Sequence, residues 1–166
     1  TGSEFEHGAE PLPALPTRDA LLPILAVLAA AREQRVPLAA LFDALPARYS
    51  RAALLRNFPR PTALRIVDRY SPQASDGSDL SYIVSSLSEF FPAALGFGAI
   101  QRIDSTDGVR ILFDNGDVAH VRPSGNADEL RIYAVAGTQA RADEIAALGV
   151  AEPGGILRRM EKAVAE

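Results

Sequence analysis

The sequence predicts an α+β fold: a four-stranded antiparallel sheet with flanking helices, preceded by further helices. Three observations carry this. The apolar period changes from 3.6 to 2 near Gly98. Asn115-Gly116 sits between two alternating runs, a strong hairpin signal. Helical patterns begin at Ser78 and Thr138, on either side of the alternating region.

The elements follow in order. Thr1 to Pro16 is polar and Pro-rich and reads as a loop; Gly2-Ser3-Glu4-Phe5 also has the look of a cloning scar. A first helix begins near Asp19 as N-cap, with Leu21, Ile24, Leu25 and Leu28 as its apolar stripe. Val36-Pro37 interrupts it. Leu38, Leu41, Phe42 and Leu45 follow the helical spacing of a second, which Pro46 stops. These helices need a partner surface, and nothing before them supplies one. Tyr49 to Phe58 reads as extended. A short helix follows Thr62, with Leu64, Val67 and Tyr70 facing inward. Ser71 to Ser78 is a polar turn segment. Ser78 caps a helix carrying Leu80, Ile83, Val84 and Leu87 on one face.

Gly98 to Asp104 is a first strand, and Thr106-Asp107-Gly108 a turn. Val109, Ile111 and Phe113 alternate through a second strand. Val118 to Val121 is a third, and Leu130 to Val135 a fourth with Leu130, Ile132 and Ala134 on one face. Thr138 caps a helix ended by Gly149. Ile156, Leu157, Met160 and Val164 mark a closing helix.

Composition narrows the function classes. The 166 residues are 48% hydrophobic and 23% charged, an ordinary globular balance. The net charge of −4 argues against a broad basic surface for nucleic acid. With no Cys there is no disulfide, thiolate metal site or cysteine nucleophile, and with His7 and His120 alone a His-based metal site is not expected. The longest mostly apolar run, Ala20 to Ala31, is too short to span a bilayer. No signal peptide is evident, so the cytoplasm is the default location.

One segment carries chemistry: Arg122-Pro123-Ser124-Gly125-Asn126-Ala127-Asp128. Arg122 offers a planar fork of donors suited to phosphate oxygens. Ser124 adds a hydroxyl and Asn126 an amide. Gly125 lets backbone approach a ligand, and successive amides around it can form an anion nest. No carboxylate pair and no nucleophile–base pair accompanies them, so the segment is built to hold an anion and not to break a bond. The simpler alternative is a hairpin loop of turn-prone residues with one surface Arg.

The stretch from Thr106 to Tyr133, with Asp114-Asn115-Gly116-Asp117-Val118-Ala119-His120-Val121-Arg122-Pro123-Ser124-Gly125-Asn126 at its centre, resembles the C-terminal domain of the bacterial phosphomannomutase/phosphoglucomutase enzymes, in the α-D-phosphohexomutase family. Leu15-Pro16-Thr17-Arg18-Asp19-Ala20-Leu21-Leu22-Pro23 and Leu45-Pro46-Ala47-Arg48-Tyr49 resemble the end of the third domain of the same enzymes, and Thr1-Gly2-Ser3 fits there too. The resemblance is collinear over nearly the whole chain. It implies that residues 1–56 are the C-terminal remnant of a third, α/β domain and residues 57–166 a fourth, phosphate-binding domain.

What the resemblance implies about function is chiefly division of labour. In the family, the first domain carries a phosphoserine, the second three aspartates that bind Mg²⁺, and the third a sugar-recognition loop. None of those motifs occurs here, so no catalytic residue and no metal ligand is expected in this chain. Mg²⁺ belongs to the parent enzyme. The fourth domain's loop grips the phosphate that is not being transferred. Carried over by position, its ligands are Arg122, Ser124, Gly125, Asn126 and, on the following strand, Arg131. The implied partners are a sugar phosphate (mannose or glucose 1- or 6-phosphate and the bisphosphate intermediate) and the missing N-terminal domains. No nucleic acid and no membrane is expected.

Two departures bear on the loop. Asp128 stands where the family commonly has Pro, bringing a negative charge near the site, and Val135 stands where it often has an acidic residue. They favour the alternative of a stand-alone interaction module without phosphate chemistry. His120 reads as a structural strand residue, and Arg18-Asp19 as a helix cap. The series Arg48, Arg51, Arg56, Arg60, Arg65 and Arg69 reads as a solvated face or a surface meeting other domains.

Overall fold

The computed structural model describes residues 5–7, 10–12, 20–72 and 77–165. The chain divides into two compact units, Thr1–Pro46 and Ala47–Glu166.

The first unit contains a two-stranded antiparallel ribbon, β1 (Phe5–His7) and β2 (Glu10–Leu12), and two helices, α1 (Leu21–Gln34) and α2 (Leu38–Asp43). Arg35 ends α1 in the left-handed conformation and its amide returns to the last turn. The expected N-cap, Asp19, lies outside the described residues; Ala20 occupies the cap position without a side-chain bond. The stripe of Leu21, Ile24, Leu25 and Leu28 is half exposed, as are Leu38, Phe42 and Leu45, while Ala31 is buried.

The second unit is a five-stranded antiparallel sheet, one strand more than the sequence pattern gives. Its strands are β3 (Tyr49–Arg56), β4 (Ile100–Asp104), β5 (Val109–Phe113), β6 (Val118–Pro123) and β7 (Glu129–Ala136), in the order β3-β7-β6-β5-β4. The extra strand is the 49–56 segment. It pairs with β7 along its full length, from Tyr49↔Ala136 to Arg56↔Glu129. Backbone pairing makes it part of this sheet, and the compact unit that holds the sheet runs from Ala47 to Glu166.

Four helices, α3 (Arg60–Tyr70), α4 (Gly77–Phe90), α5 (Gln139–Val150) and α6 (Ile156–Ala163), share one core with the sheet. Val109, Ile111 and Phe113 of β5 meet Ala119 and Val121 of β6 and Leu130, Ile132 and Ala134 of β7 there, all fully buried. Alternation puts Arg110, His120, Arg122, Arg131 and Tyr133 on the opposite face.

Several helix details differ from the pattern. The buried face of α3 is Ala63, Ile66 and Tyr70, and Leu64 is half exposed. In α4, Ile83 and Leu87 are buried but Leu80 is exposed, and Ser78 lies inside the helix, which starts at Gly77. Thr138 caps α5 as expected, its hydroxyl accepting the Arg141 amide at 3.2 Å. Gly149 does not end α5. It lies inside the last turn, where a Cβ would stand 2.7 Å from Ile132 Cγ2; its lack of a side chain lets the helix sit close on β7.

The β5–β6 connection is also different in kind. Gly116 alone has positive φ, its amide donates to Phe113 O at 3.0 Å, and the Phe113 amide donates to Asp117 O at 3.0 Å. That is a three-residue loop with a left-handed glycine, and not the two-residue turn that Asn-Gly suggests. The Asn115 side chain is used elsewhere, accepting the Asp117 amide and donating to Gly96 O. Asp117 in turn accepts from Arg141 Nε at 2.8 Å, a largely buried ion pair that ties the hairpin end to α5.

Candidate functional site

The β6–β7 connection is placed by its flanking strands. Arg122 and Arg131 are direct cross-strand partners, so two guanidiniums rise from neighbouring strands on the open face of the sheet. The loop closes when the Ser124 amide donates to Glu129 O at 3.0 Å and the Glu129 amide to Ala127 O at 2.9 Å. The amides of Gly125, Asn126, Ala127 and Asp128 donate to no other described residue.

The side chains split into two groups. Ser124 is buried at 4% exposure. Its hydroxyl donates to Asn126 Oδ1 at 3.2 Å and accepts from Arg131 Nη2 at 3.3 Å. Arg131 also donates to Glu129 Oε2 at 2.8 Å, and that bond foremost holds its pKa above the usual guanidinium value. Glu129, Arg131, Ser124 and Asn126 therefore form one chain of hydrogen bonds. Arg122 is not part of it. Its Nε pairs with Asp107 Oδ1 at 3.1 Å, both side chains about half exposed. Gly125 is exposed without positive φ, and a Cβ there would meet nothing within 4 Å. Its carbonyl accepts from Arg60 Nη1 at 2.6 Å.

Asp107 reaches Arg122 because of Gly108. That residue has φ +90°, and a Cβ on it would lie 2.4 Å from Val121 O. The β4–β5 turn thus lies against the backbone of β6, which only glycine permits. His120 secures the same turn: its Nε2 lies 2.5 Å from Asp107 O, and its ring packs on Tyr133 with centroids 5.7 Å apart. For Nε2 to donate there, the proton sits on that nitrogen. Asp104, at the turn's start, accepts from the hydroxyl and amide of Thr106, and these bonds lower its pKa.

Residues 85–150, which hold β4 to β7, all of α5 and the whole loop, match the family model described as phosphoglucomutase/phosphomannomutase, C-terminal domain. Over these residues the chain is similar to the C-terminal domain of the phosphoglucomutase/phosphomannomutase family. Two relatives extend the likeness. A protein named phosphomannomutase from Sinorhizobium fredii is 34% identical over 152 residues, covering 90% of this chain and 29% of the relative. A phosphomannomutase from Salmonella muenchen is 35% identical over 140 residues, covering 83% of this chain and 26% of the relative. The chain thus spans under a third of the length of either.

Three residues escape a sequence reading of the site: Asp107, Glu129 and Arg60. Glu129 lies two residues from Arg131 on one strand face and was findable by alternation. Asp107 and Arg60 arrive from other elements, and only the fold brings them to the loop. Among the described residues no three His, Asp or Glu side chains gather where a metal ion could be held. No described helix is long and apolar enough to cross a membrane.

Proposed function

We propose that this chain is the phosphate-anchoring part of a cytoplasmic phosphohexomutase that interconverts hexose 6-phosphate and hexose 1-phosphate, with mannose or glucose as the sugar. The phosphoryl donor and the Mg²⁺ ligands belong to other parts of the parent enzyme, and the chain alone is inactive as a mutase.

The observation that supports the reading is the loop itself: four amides without an acceptor among the described residues, beside a buried Ser124 hydroxyl oriented by Arg131. Amides and a guanidinium recognise a phosphate dianion by charge and hydrogen bonds, with no group that reads the carbon bearing it. A bisphosphate intermediate that turns over between two half-reactions needs an anchor of that kind. Holding the remote phosphate aligns the reacting one, and positioning supplies much of the catalysis in phosphoryl transfer.

A second reading, an interaction module without phosphate chemistry, draws on the Arg122–Asp107 pair, which already neutralises one of the expected anion ligands. Titration with glucose 1-phosphate, glucose 6-phosphate and glucose, followed by amide NMR, separates the two. The anchor binds both phosphates with similar affinity and ignores glucose. Binding of neither phosphate favours the module.

A further inference from the structure

A guanidinium from a different element grips the loop. We infer that Arg60 is a positioning residue for the phosphate anchor: it holds the Gly125 carbonyl and so aims the next amide, that of Asn126, to the opposite side, where the anion sits. The inference deepens the phosphate-anchor reading and rests on it.

The geometry runs through one peptide unit. Arg60 Nη1 donates to Gly125 O at 2.6 Å. In a planar trans peptide the carbonyl and the following N–H point in opposite directions. Fixing the Gly125 oxygen on Arg60 therefore fixes the Asn126 N–H away from it, and that N–H has no acceptor among the described residues. A second tether comes from the same segment, because the Phe58 amide donates to Asp128 O at 2.9 Å. The segment arrives there because β3 pairs with β7 up to Arg56↔Glu129, at the loop's edge.

The support is itself stiff. Pro59 and Pro61 flank Arg60 and fix φ on both sides of it, and Pro59 is the N-cap of α3. Ala63 and Ile66 on that helix are fully buried, so the backbone that carries Arg60 is anchored in the core. Arg60 also brings a third guanidinium to a loop that carries Asp128, opposing the extra negative charge there. Its side chain is exposed, so the effect is moderate and weakens with salt.

The test compares the unmodified chain with Arg60→Ala and Arg60→Lys by NMR at low salt, with inorganic phosphate as the probe. Without ligand, Arg60→Ala is expected to shift the Gly125 carbonyl carbon and the Asn126 amide, while thermal unfolding stays nearly unchanged. With phosphate, Arg60→Ala weakens binding about five-fold, and Arg60→Lys, which keeps a charged donor, recovers part of it. Equal phosphate binding by Arg60→Ala and the unmodified chain overturns the inference alone. Failure of the unmodified chain to bind phosphate overturns the anchor reading and this inference with it.

Discussion

Asp107→Asn is expected to strengthen phosphate binding, although it removes an ion pair. In the free protein the carboxylate holds Arg122 Nε at 3.1 Å. A phosphate that takes Arg122 as a ligand must compete with that contact. With both side chains about half exposed, the pair is worth about 0.2–1 kcal/mol after solvent screening. The dianion also loses a nearby like charge, a further contribution of similar size that salt reduces. Together, at about 0.4–2 kcal/mol, these predict a roughly two- to thirty-fold lower dissociation constant for inorganic phosphate near 50 mM salt, with most of the gain lost at several hundred millimolar. Asparagine keeps the shape of the side chain, and the contact of His120 is to the Asp107 main chain, so the turn stays in place. Stability should change by less than about 1 kcal/mol. Isothermal titration on the two proteins at two salt concentrations reads all of this. Unchanged or weaker phosphate binding in Asp107→Asn would refute the reasoning, because it would mean that Asp107 orients Arg122 for the anion instead of competing with it.

Arg141→Met removes one partner of the Asp117 pair, whose side chains are 18% and 7% exposed, and leaves a buried carboxylate. A loss of about 3 kcal/mol in urea unfolding is expected, with phosphate affinity retained in the folded fraction. Gly149→Ala places a Cβ 2.7 Å from Ile132 Cγ2. Overpacking of about 1–3 kcal/mol outweighs the better helix propensity of alanine, and adding Ile132→Val restores part of the midpoint. Thr106→Val removes the hydroxyl that chiefly lowers the Asp104 pKa. A carboxyl with a depressed folded pKa contributes stability above its unfolded pKa and loses it as pH falls through the folded one, so the contribution disappears below the ordinary aspartate range. The Asp104 titration, followed by carboxyl carbon NMR, should move up towards the ordinary value in the variant; no movement counts against the bond as its cause.

Local chemistry made most of the sheet legible. Val109, Ile111 and Phe113, and likewise Leu130, Ile132 and Ala134, alternate in the sequence and are buried together in the structure. Thr138 reads as a cap from its type and place, and it caps. What stayed hidden depends on distant partners. The 49–56 strand lies at the sheet edge with most of its side chains exposed, and nothing local marks β7 as its mate. Gly149 resembles a helix stop, yet it serves contact with Ile132. The candidate site divides the same way. Ser124, Asn126 and Arg131 are joined by hydrogen bonds within one hairpin, so a linear motif contains them. Arg60 is 65 positions from Gly125, and in the sequence it is one of six scattered arginines.

The most direct measurement is a titration of inorganic phosphate into the ¹⁵N-labelled chain at low salt, following the backbone amides of Gly125, Asn126, Ala127 and Asp128. Saturable shifts centred on these four, with Ser124 and Arg131 responding and the core of the sheet still, are the predicted result. Four amides that stay fixed at millimolar phosphate would contradict the loop as an anion holder.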